Sequence, residues 1–242
     1  MAREAFDIQE KEANNLALYT IADLHLSLGT DKPMDIFRGW QDYQQRIENN
    51  WRRLVDDDDT VVVAGDVSWA MKLANTEADF AFLDSLPGRK LIIKGNHDYW
   101  WETKSKMDKF IEEKGFSTLK ILFNNSFQYG DIAICGTRGW SYDCPQSEQK
   151  VLLREVGRLK MSLDSAPQDR ERVVFLHYPP VYSDYRCGEI MEVLHEYGIK
   201  RCYYGHLHGA SHTRAVVGDC EGIMMKMVSG DACDFTPMLV ER

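Results

Sequence analysis

Five short apolar runs in this chain stop at Asp, Asn or His within a residue or two of their ends. The junctions read Ala22-Asp23-Leu24-His25, Gly65-Asp66, Gly95-Asn96-His97-Asp98, Leu176-His177-Tyr178-Pro179-Pro180 and Gly205-His206-Leu207-His208-Gly209. Five of the seven histidines lie at these junctions. His195, on an expected helix, and His212, in an expected loop, do not. Imidazole and side-chain oxygen without thiolate suit Mn, Fe, Co, Ni or Zn in five- or six-coordinate sites. In an extended segment, Asp-x-His and His-x-His place alternate side chains on the same side, so both can reach one ion or two adjacent ones. Gly65, Gly95, Gly205 and Gly209 beside them allow tight turns and close backbone approach. Taken singly, a strand-end Asp is a turn or helix cap, and a buried His is a hydrogen-bonded core residue. Five such junctions in one chain make a shared metal centre the better reading.

Such residues converge only if a sheet presents all its loops at one edge, as α/β sheets do at the carboxyl ends of their strands. The pattern supplies the parts. Leu16–Ala22, Thr60–Ala64, Lys90–Lys94, Arg172–Leu176 and Lys200–Tyr204 read as buried strands. Helical spacing runs through Ile36–Val55, Ala74–Leu86, Trp101–Lys114, Gln149–Leu163 and Glu189–Glu196. Thr118–Asn124 and Asp131–Gly136 flank a turn at Tyr129–Gly130 and read as a hairpin or meander, with late strands at Ile223–Ser229 and Pro237–Val240. No repeat or Pro/Gly/Ser-rich linker divides the chain, so residues 1–242 are expected to form a single α/β domain.

Composition narrows the function. With 29 Lys+Arg against 38 Asp+Glu, the net charge is −9. That argues against broad duplex nucleic-acid binding, which needs clustered cations. An apolar share of 44% excludes a disordered chain. No apolar run reaches the roughly 18 residues of a membrane span. The opening MAREAFDIQEKEANN has no apolar core of a secretory signal. The six cysteines (135, 144, 187, 202, 220 and 233) form no Cys-x-x-Cys pair. Reduced thiols in the cytoplasm, without a zinc–thiolate site, are therefore expected. The run Asp56–Asp59 reads as a solvated turn.

In order and composition, the five junctions resemble the motifs DLH, GD, GNHD, H and GHLH of the calcineurin-like metallophosphoesterase superfamily. The likeness spans Asp23 to His208. It implies a four-layer α/β/β/α sandwich of two mixed sheets flanked by helices, the late strands completing the second sheet. It also implies two divalent metal ions, chosen from Mn2+, Fe2+ or Fe3+, Zn2+, Co2+ and Ni2+. Asp23, His25 and His208 match the ligands of one metal, and Asn96, His177 and His206 those of the other. Asp66 matches the bridging carboxylate, and His97 the non-ligand histidine near the leaving group. The implied reaction is hydrolysis of a phosphate ester by a metal-bridging hydroxide, with Asp66 and His97 as its central residues. Asp98 is a candidate to orient His97 or, equally, an exposed loop residue.

Departures guide the substrate class. Protein phosphatases of the superfamily follow GD with an Asp-Arg pair, whereas Val67, Ser68, Trp69 and Ala70 follow Asp66 here. Lipid A pathway pyrophosphatases carry Arg where this chain has His97, and the exonuclease branch carries extra DNA-binding segments. The His177-Tyr178-Pro179-Pro180 segment is closer to small bacterial-type phosphohydrolases and phosphodiesterases. Trp69, Tyr99, Trp100, Trp101, Trp140, Tyr142, Tyr178 and Tyr182 cluster beside the motifs. They read either as a rim that stacks an aromatic leaving group or as packing between sheets and helices. Among them, Trp69 and Tyr178 are candidates for substrate contact. Arg138 is a candidate phosphate contact or a surface Arg. The expected partner is a small phosphorylated mono- or diester, with no stable nucleic-acid complex, no membrane, and homodimerisation left open. The alternatives are a cyclic or linear nucleotide phosphodiesterase and a non-catalytic metal-binding scaffold. A scaffold would be expected to lack ligands or His97, and every position is filled.

Overall fold

The computed structural model describes residues 16–140 and 149–242, so the opening charged stretch, Tyr142 and Cys144 lie outside the described residues. In chain order the first half carries β1 (Leu18–Ile21), α1 (Tyr43–Leu54), β2 (Thr60–Val63), α2 (Glu77–Ser85), β3 (Arg89–Ile92), α3 (Lys104–Glu113) and β4 (Leu119–Ile121). There follow β5 (Phe127–Tyr129), β6 (Ile132–Thr137), α4 (Gln149–Asp164), β7 (Glu171–Leu176), β8 (Val181–Tyr182) and β9 (Tyr185–Arg186). The chain ends with α5 (Gly188–Glu196), β10 (Arg201–Tyr204), β11 (Gly218–Cys220), β12 (Ile223–Met227) and β13 (Met238–Glu241).

β2 is buried at every position, with Val61, Val62 and Val63 in succession, as in a strand covered on both faces. Parallel pairing of such strands needs crossover connections, which the helices supply. One sheet has the order β13-β1-β2-β3-β4, and the other β11-β12-β10-β7-β6-β5. Their inner faces meet through Leu18, Val62, Leu91, Ile134, Val173, Phe175 and Tyr203. The alternate residues of the first sheet, Tyr19, Ile21, Val61 and Val63, pack under α1, α2 and α3. Those of the second, Cys135, Val174, Leu176 and Cys202, pack under α4 and α5. The strand period of two thus splits each sequence run between two cores. The result is the expected four-layer α/β/β/α sandwich of two mixed sheets.

The two sheets are joined where the site lies. Ser229, just past β12, bridges in parallel to Ala22, just past β1. The Ala22 N–H donates to the Val228 carbonyl at 2.8 Å. The parallel strands β1 and β12 therefore end at a common edge.

Five local expectations change. The helix expected from Ile36 begins at Tyr43, because Gly39 (φ 90°) and Asp42 (φ 52°) take left-handed backbone that interrupts it. Ile36 and Phe37 are left 74% and 51% exposed. The helix expected from Trp101 begins at Lys104. Thr118–Asn124 supplies β4 to the first sheet, and β5, a short strand the pattern did not single out, is the true hairpin partner of β6. The last strand, β13, pairs antiparallel with β1 rather than completing the second sheet. Within the acidic run, Asp56, Asp57 and Asp58 are exposed, but Asp59 is buried. Its carboxylate accepts from the Ala17 N–H at 2.6 Å and the Asp56 N–H at 2.9 Å.

The outer core of the first sheet is anchored by α1, whose buried residues Tyr43, Ile47 and Trp51 recur every fourth position. Trp51 is fully buried, and its indole N–H donates to the Pro87 carbonyl at 2.9 Å. Trp51→Ala is expected to cost about 3–5 kcal/mol of stability, by loss of packing and the cavity left behind. Urea unfolding checks this: a change within about 1 kcal/mol would show that α1 is not an anchor.

Candidate metal centre

Five of the parallel strands, β1, β2, β3, β7 and β10, are followed by the polar side chains of the junctions. Asp23 and His25 follow β1, Asp66 follows β2, and Asn96 and His97 follow β3. His177 directly follows β7, and His206 and His208 follow β10. The backbone that presents them is strained. Asp23 (φ 60°), His25 (φ 44°), Asp66 (φ 52°) and His206 (φ 75°) all occupy the left-handed region. Non-glycine residues there cost of order 1–3 kcal/mol each and cluster at functional sites. Two glycines make the convergence sterically feasible. A Cβ on Gly95 would lie 2.0 Å from Asp66 Oδ1, and one on Gly205 would lie 2.6 Å from Asp23 Oδ2.

The two carboxylates divide their oxygens in the same way. Asp66 Oδ1 accepts the His97 N–H at 2.7 Å, and Asp23 Oδ2 accepts the His206 N–H at 2.8 Å. Their other oxygens, Asp66 Oδ2 and Asp23 Oδ1, are buried with no hydrogen-bond partner. Around those oxygens the imidazoles close in. His25 Nε2 is 3.7 Å and His177 Nε2 is 3.5 Å from Asp66 Oδ2, while His208 Nε2 is 3.5 Å from Asp23 Oδ1.

One of these contacts sets acceptor against acceptor. His177 Nδ1–H donates to the Ala64 carbonyl at 3.1 Å, which leaves Nε2 bare toward Asn96 Oδ1 at 2.6 Å. His25 Nε2 and His208 Nε2 approach to 3.4 Å. Lone pairs held this way in a buried site repel unless a cation sits among them. The donor set therefore fits divalent metal ions of the kind that accept imidazole and carboxylate. Two groups place their donor atoms within 4.8 Å of one another: Asp23, His25 and His208, and Asp23, Asp66 and His177. The first is the expected trio. In the second, Asp23 joins the pair Asp66 and His177. Asn96 reaches His177 directly, and the His206 ring lies edge-on to His177 at 5.2 Å between centroids.

Electrostatics record the same crowding. Burial pushes His177 down to about 3, against the pull of Asp23. Burial likewise holds His25 well below the ordinary histidine value. Burial, reinforced by the charges of Asp98 and Asp23, lifts Asp66 well above the carboxylate range. Burial works against a charge on His208, yet Asp23 and Asp231 raise it to about 10. Burial alone would raise Asp23, but His208, His177 and His25 hold it low.

His97 stands at the rim. Its ring tilts against Trp69 at 4.5 Å and against His25 at 5.6 Å between centroids. Nδ1 lies 3.3 Å from the Tyr99 hydroxyl, the ring partner that sequence reading left open. Asp98 does not have the role foreseen for it. It is a buried residue, not an exposed loop residue, and its carboxylate accepts from the backbone N–H groups of Asp66, Val67, Ser68 and Gly95 and from the Trp100 indole.

The candidate substrate residues are placed as follows. Trp69 stacks on His25 at 4.9 Å with Lys32 Nζ 4.6 Å over its ring, so protein groups cover its π surface. Tyr178 is buried, edge-on to His206 at 4.6 Å. Arg138 pairs at 3.3 Å with the buried Glu155, which also binds Arg158 and the Thr137 hydroxyl. Trp100 is core, Trp140 packs under α4, and Tyr99 is the exposed aromatic at 50%. One residue was missed. Asp231 accepts from His208 Nδ1 at 2.9 Å, and its signal was the Gly230-Asp231 pair after the apolar run of β12.

With this geometry in hand, the chain can be set beside known proteins. The sequence profile of calcineurin-like phosphoesterases (Metallophos) matches residues 17–210, which carry all five junctions. The chain belongs to the calcineurin-like phosphoesterase family. Family membership makes it a metal-dependent phosphoric ester hydrolase. Among solved structures, the phosphopantetheinyl hydrolase PptH of Mycobacterium tuberculosis is similar with a TM-score of 0.56 at 13% identity, over 93% of this chain and 95% of that one. At that identity the likeness speaks for the fold. AQ665 of Aquifex aeolicus, a protein of unknown function, aligns over 93% of this chain and 96% of that one at 17% identity, with a TM-score of 0.49. No curated protein matches in sequence. Among the described residues, no helix of this phosphoesterase is long and apolar enough to cross a membrane.

Metal uptake by this phosphoesterase must displace a proton from His208, which Asp23 and Asp231 raise to about 10 without a cation. Below about pH 10 each rise in pH weakens the proton's competition for His208, so Mn2+ affinity is expected to strengthen between about pH 6 and pH 8. Calorimetric titration at several pH values checks this. A flat or falling affinity would contradict proton displacement.

Proposed function

We propose that the chain hydrolyses a small phosphate mono- or diester at a centre of two divalent metals. Asp23, His25 and His208 would hold one ion, Asn96, His177 and His206 the other, and Asp66 would reach both. The observation that carries this reading is the pair of buried, unpartnered carboxylate oxygens, Asp23 Oδ1 and Asp66 Oδ2, ringed by imidazole nitrogens. When bound, the metals supply water activated near neutral pH and positive charge for the phosphate oxygens.

The rest of the chemistry belongs to the chain's own residues. Asp66 divides its oxygens between the His97 N–H and the centre, so the metal-facing oxygen and His97 are held in one register. His97 is half-buried, and burial together with the neighbouring His206 lowers its proton affinity. A protonated His97 is then a ready donor to the leaving oxygen. The Tyr99 hydroxyl on Nδ1 orients the ring so that Nε2 can serve the substrate. Trp69 forms a wall behind His25 and His97, and Lys32 over it offers a cation to an anionic substrate. Tyr178 backs His206, and Arg138 flanks it with its guanidinium 6.0 Å from the Tyr178 ring.

The deciding experiment is hydrolysis of bis(p-nitrophenyl) phosphate and p-nitrophenyl phosphate by metal-stripped protein titrated with Mn2+. Metal-dependent turnover is expected, and the ratio of the two rates distinguishes a diesterase from a monoesterase. No turnover with Mn2+, Fe2+, Co2+, Ni2+ or Zn2+ would count against the reading. His97→Ala should keep its metal yet lose on the order of 10²–10⁴-fold in kcat, most for poor leaving groups. An equal loss for good and poor leaving groups would remove the proton-donor role.

A further inference from the structure

We propose that Asp231 is a positioning residue of the metal centre, which holds the His208 ring with Nδ1–H bound and Nε2 turned toward His25 and Asp23. The inference rests on the two-metal reading above. Asp231 follows β12, the strand outside the five junctions, and its place is rigidly set. The Ser229–Ala22 bridge ties the end of β12 to the end of β1. Gly230 sits so close that a Cβ there would lie 3.1 Å from the Asp23 carbonyl oxygen. Downstream, the Phe235 N–H donates to the Gly230 carbonyl at 2.7 Å and closes the turn.

From that turn the carboxylate meets three groups of the GHLH loop. Oδ1 is 2.9 Å from His208 Nδ1, Oδ2 accepts the Gly209 N–H at 3.0 Å, and Oδ2 lies 3.2 Å from His212 Nε2. Both oxygens are thereby occupied, so the carboxylate cannot rotate away from His208. An imidazole that donates from Nδ1 to a carboxylate presents an electron-rich Nε2, and metal-bound histidines commonly have such a partner. Here Nε2 of the same ring is the atom that faces His25 Nε2 at 3.4 Å and Asp23 Oδ1 at 3.5 Å. The Gly209 N–H closes the second oxygen, and His212, outside the motifs, lies beside it without a hydrogen bond.

The test is Mn2+ binding to the full, metal-stripped chain, read by electron paramagnetic resonance, for wild type and Asp231→Asn. Wild type is expected to bind two ions. The variant is expected to bind one of them roughly 10–100-fold more weakly and the other unchanged. Wild-type affinity for both ions, or an equal weakening of both with a lowered Tm, would overturn the inference. Should Asp231→Asn fail to fold, the Zn2+-loaded wild type decides. With 15N-labelled histidine, and His208 assigned by a His208→Gln variant, His208 should show an Nδ1–H proton and a metal-bound Nε2. Metal on Nδ1 would overturn the inference. A wild-type chain that takes up no divalent ion would instead overturn the two-metal reading beneath it.

Discussion

Asp23 and Asp66 each give one carboxylate oxygen to a backbone N–H of another motif loop and leave the other oxygen buried without a partner. The first contact locks the loops to one another, and the second creates the demand for positive charge. A carboxylate satisfied at both oxygens would be a structural group. One satisfied at neither would not stay in place. The surrounding imidazoles extend the demand, because His177 and His25 are buried too deeply to remain protonated.

The scaffold absorbs the cost of this arrangement. Left-handed backbone at Asp23, His25, Asp66 and His206 persists only where surrounding structure over-determines it. Asp98 is central to that, since it ties the loops after β2 and β3 into one body through backbone N–H groups of both. Burial raises its pKa while those hydrogen bonds favour the anion. The strands behind the loops are buried on both faces between helical layers, so the loop bases have no freedom to relax. Strain in the loops is thus offset by packing in the sandwich.

Much of this was legible in the linear pattern. Strand-end placement identified Asp23, His25, Asp66, Asn96, His177, His206 and His208 because each follows an apolar run at a distance that a parallel sheet makes meaningful. The parts that were not legible depend on contacts distant in the chain. The helix expected from Ile36 lost its first turns to left-handed backbone at Gly39 and Asp42, which apolar spacing does not register. The strand β13 joined the first sheet, because pairing partners are chosen by the exposed edge of β1 and not by sequence order. Asp98 read as a loop residue because polarity alone does not reveal five inward-pointing donors. Asp231 carried the same Gly-Asp signature as Gly65-Asp66, but the late apolar run before it had a less clear period than Thr60–Ala64.

By itself, the sequence determined the chemical inventory and the layered α/β architecture. Residue type decides which atoms can hold a cation, and the period of apolar residues decides which faces must be buried. Only the tertiary structure decided how each donor is aimed. It set which oxygen of Asp23 and Asp66 is left for the centre, that Tyr99 and not Asp98 meets the His97 ring, and that Asp231 stands behind His208. Apart from the His97–Tyr99 contact, which spans two residues, orientation of that kind depends on hydrogen bonds between loops separated by tens to hundreds of residues. No local pattern encodes those, because they exist only once both sheets end at the same edge.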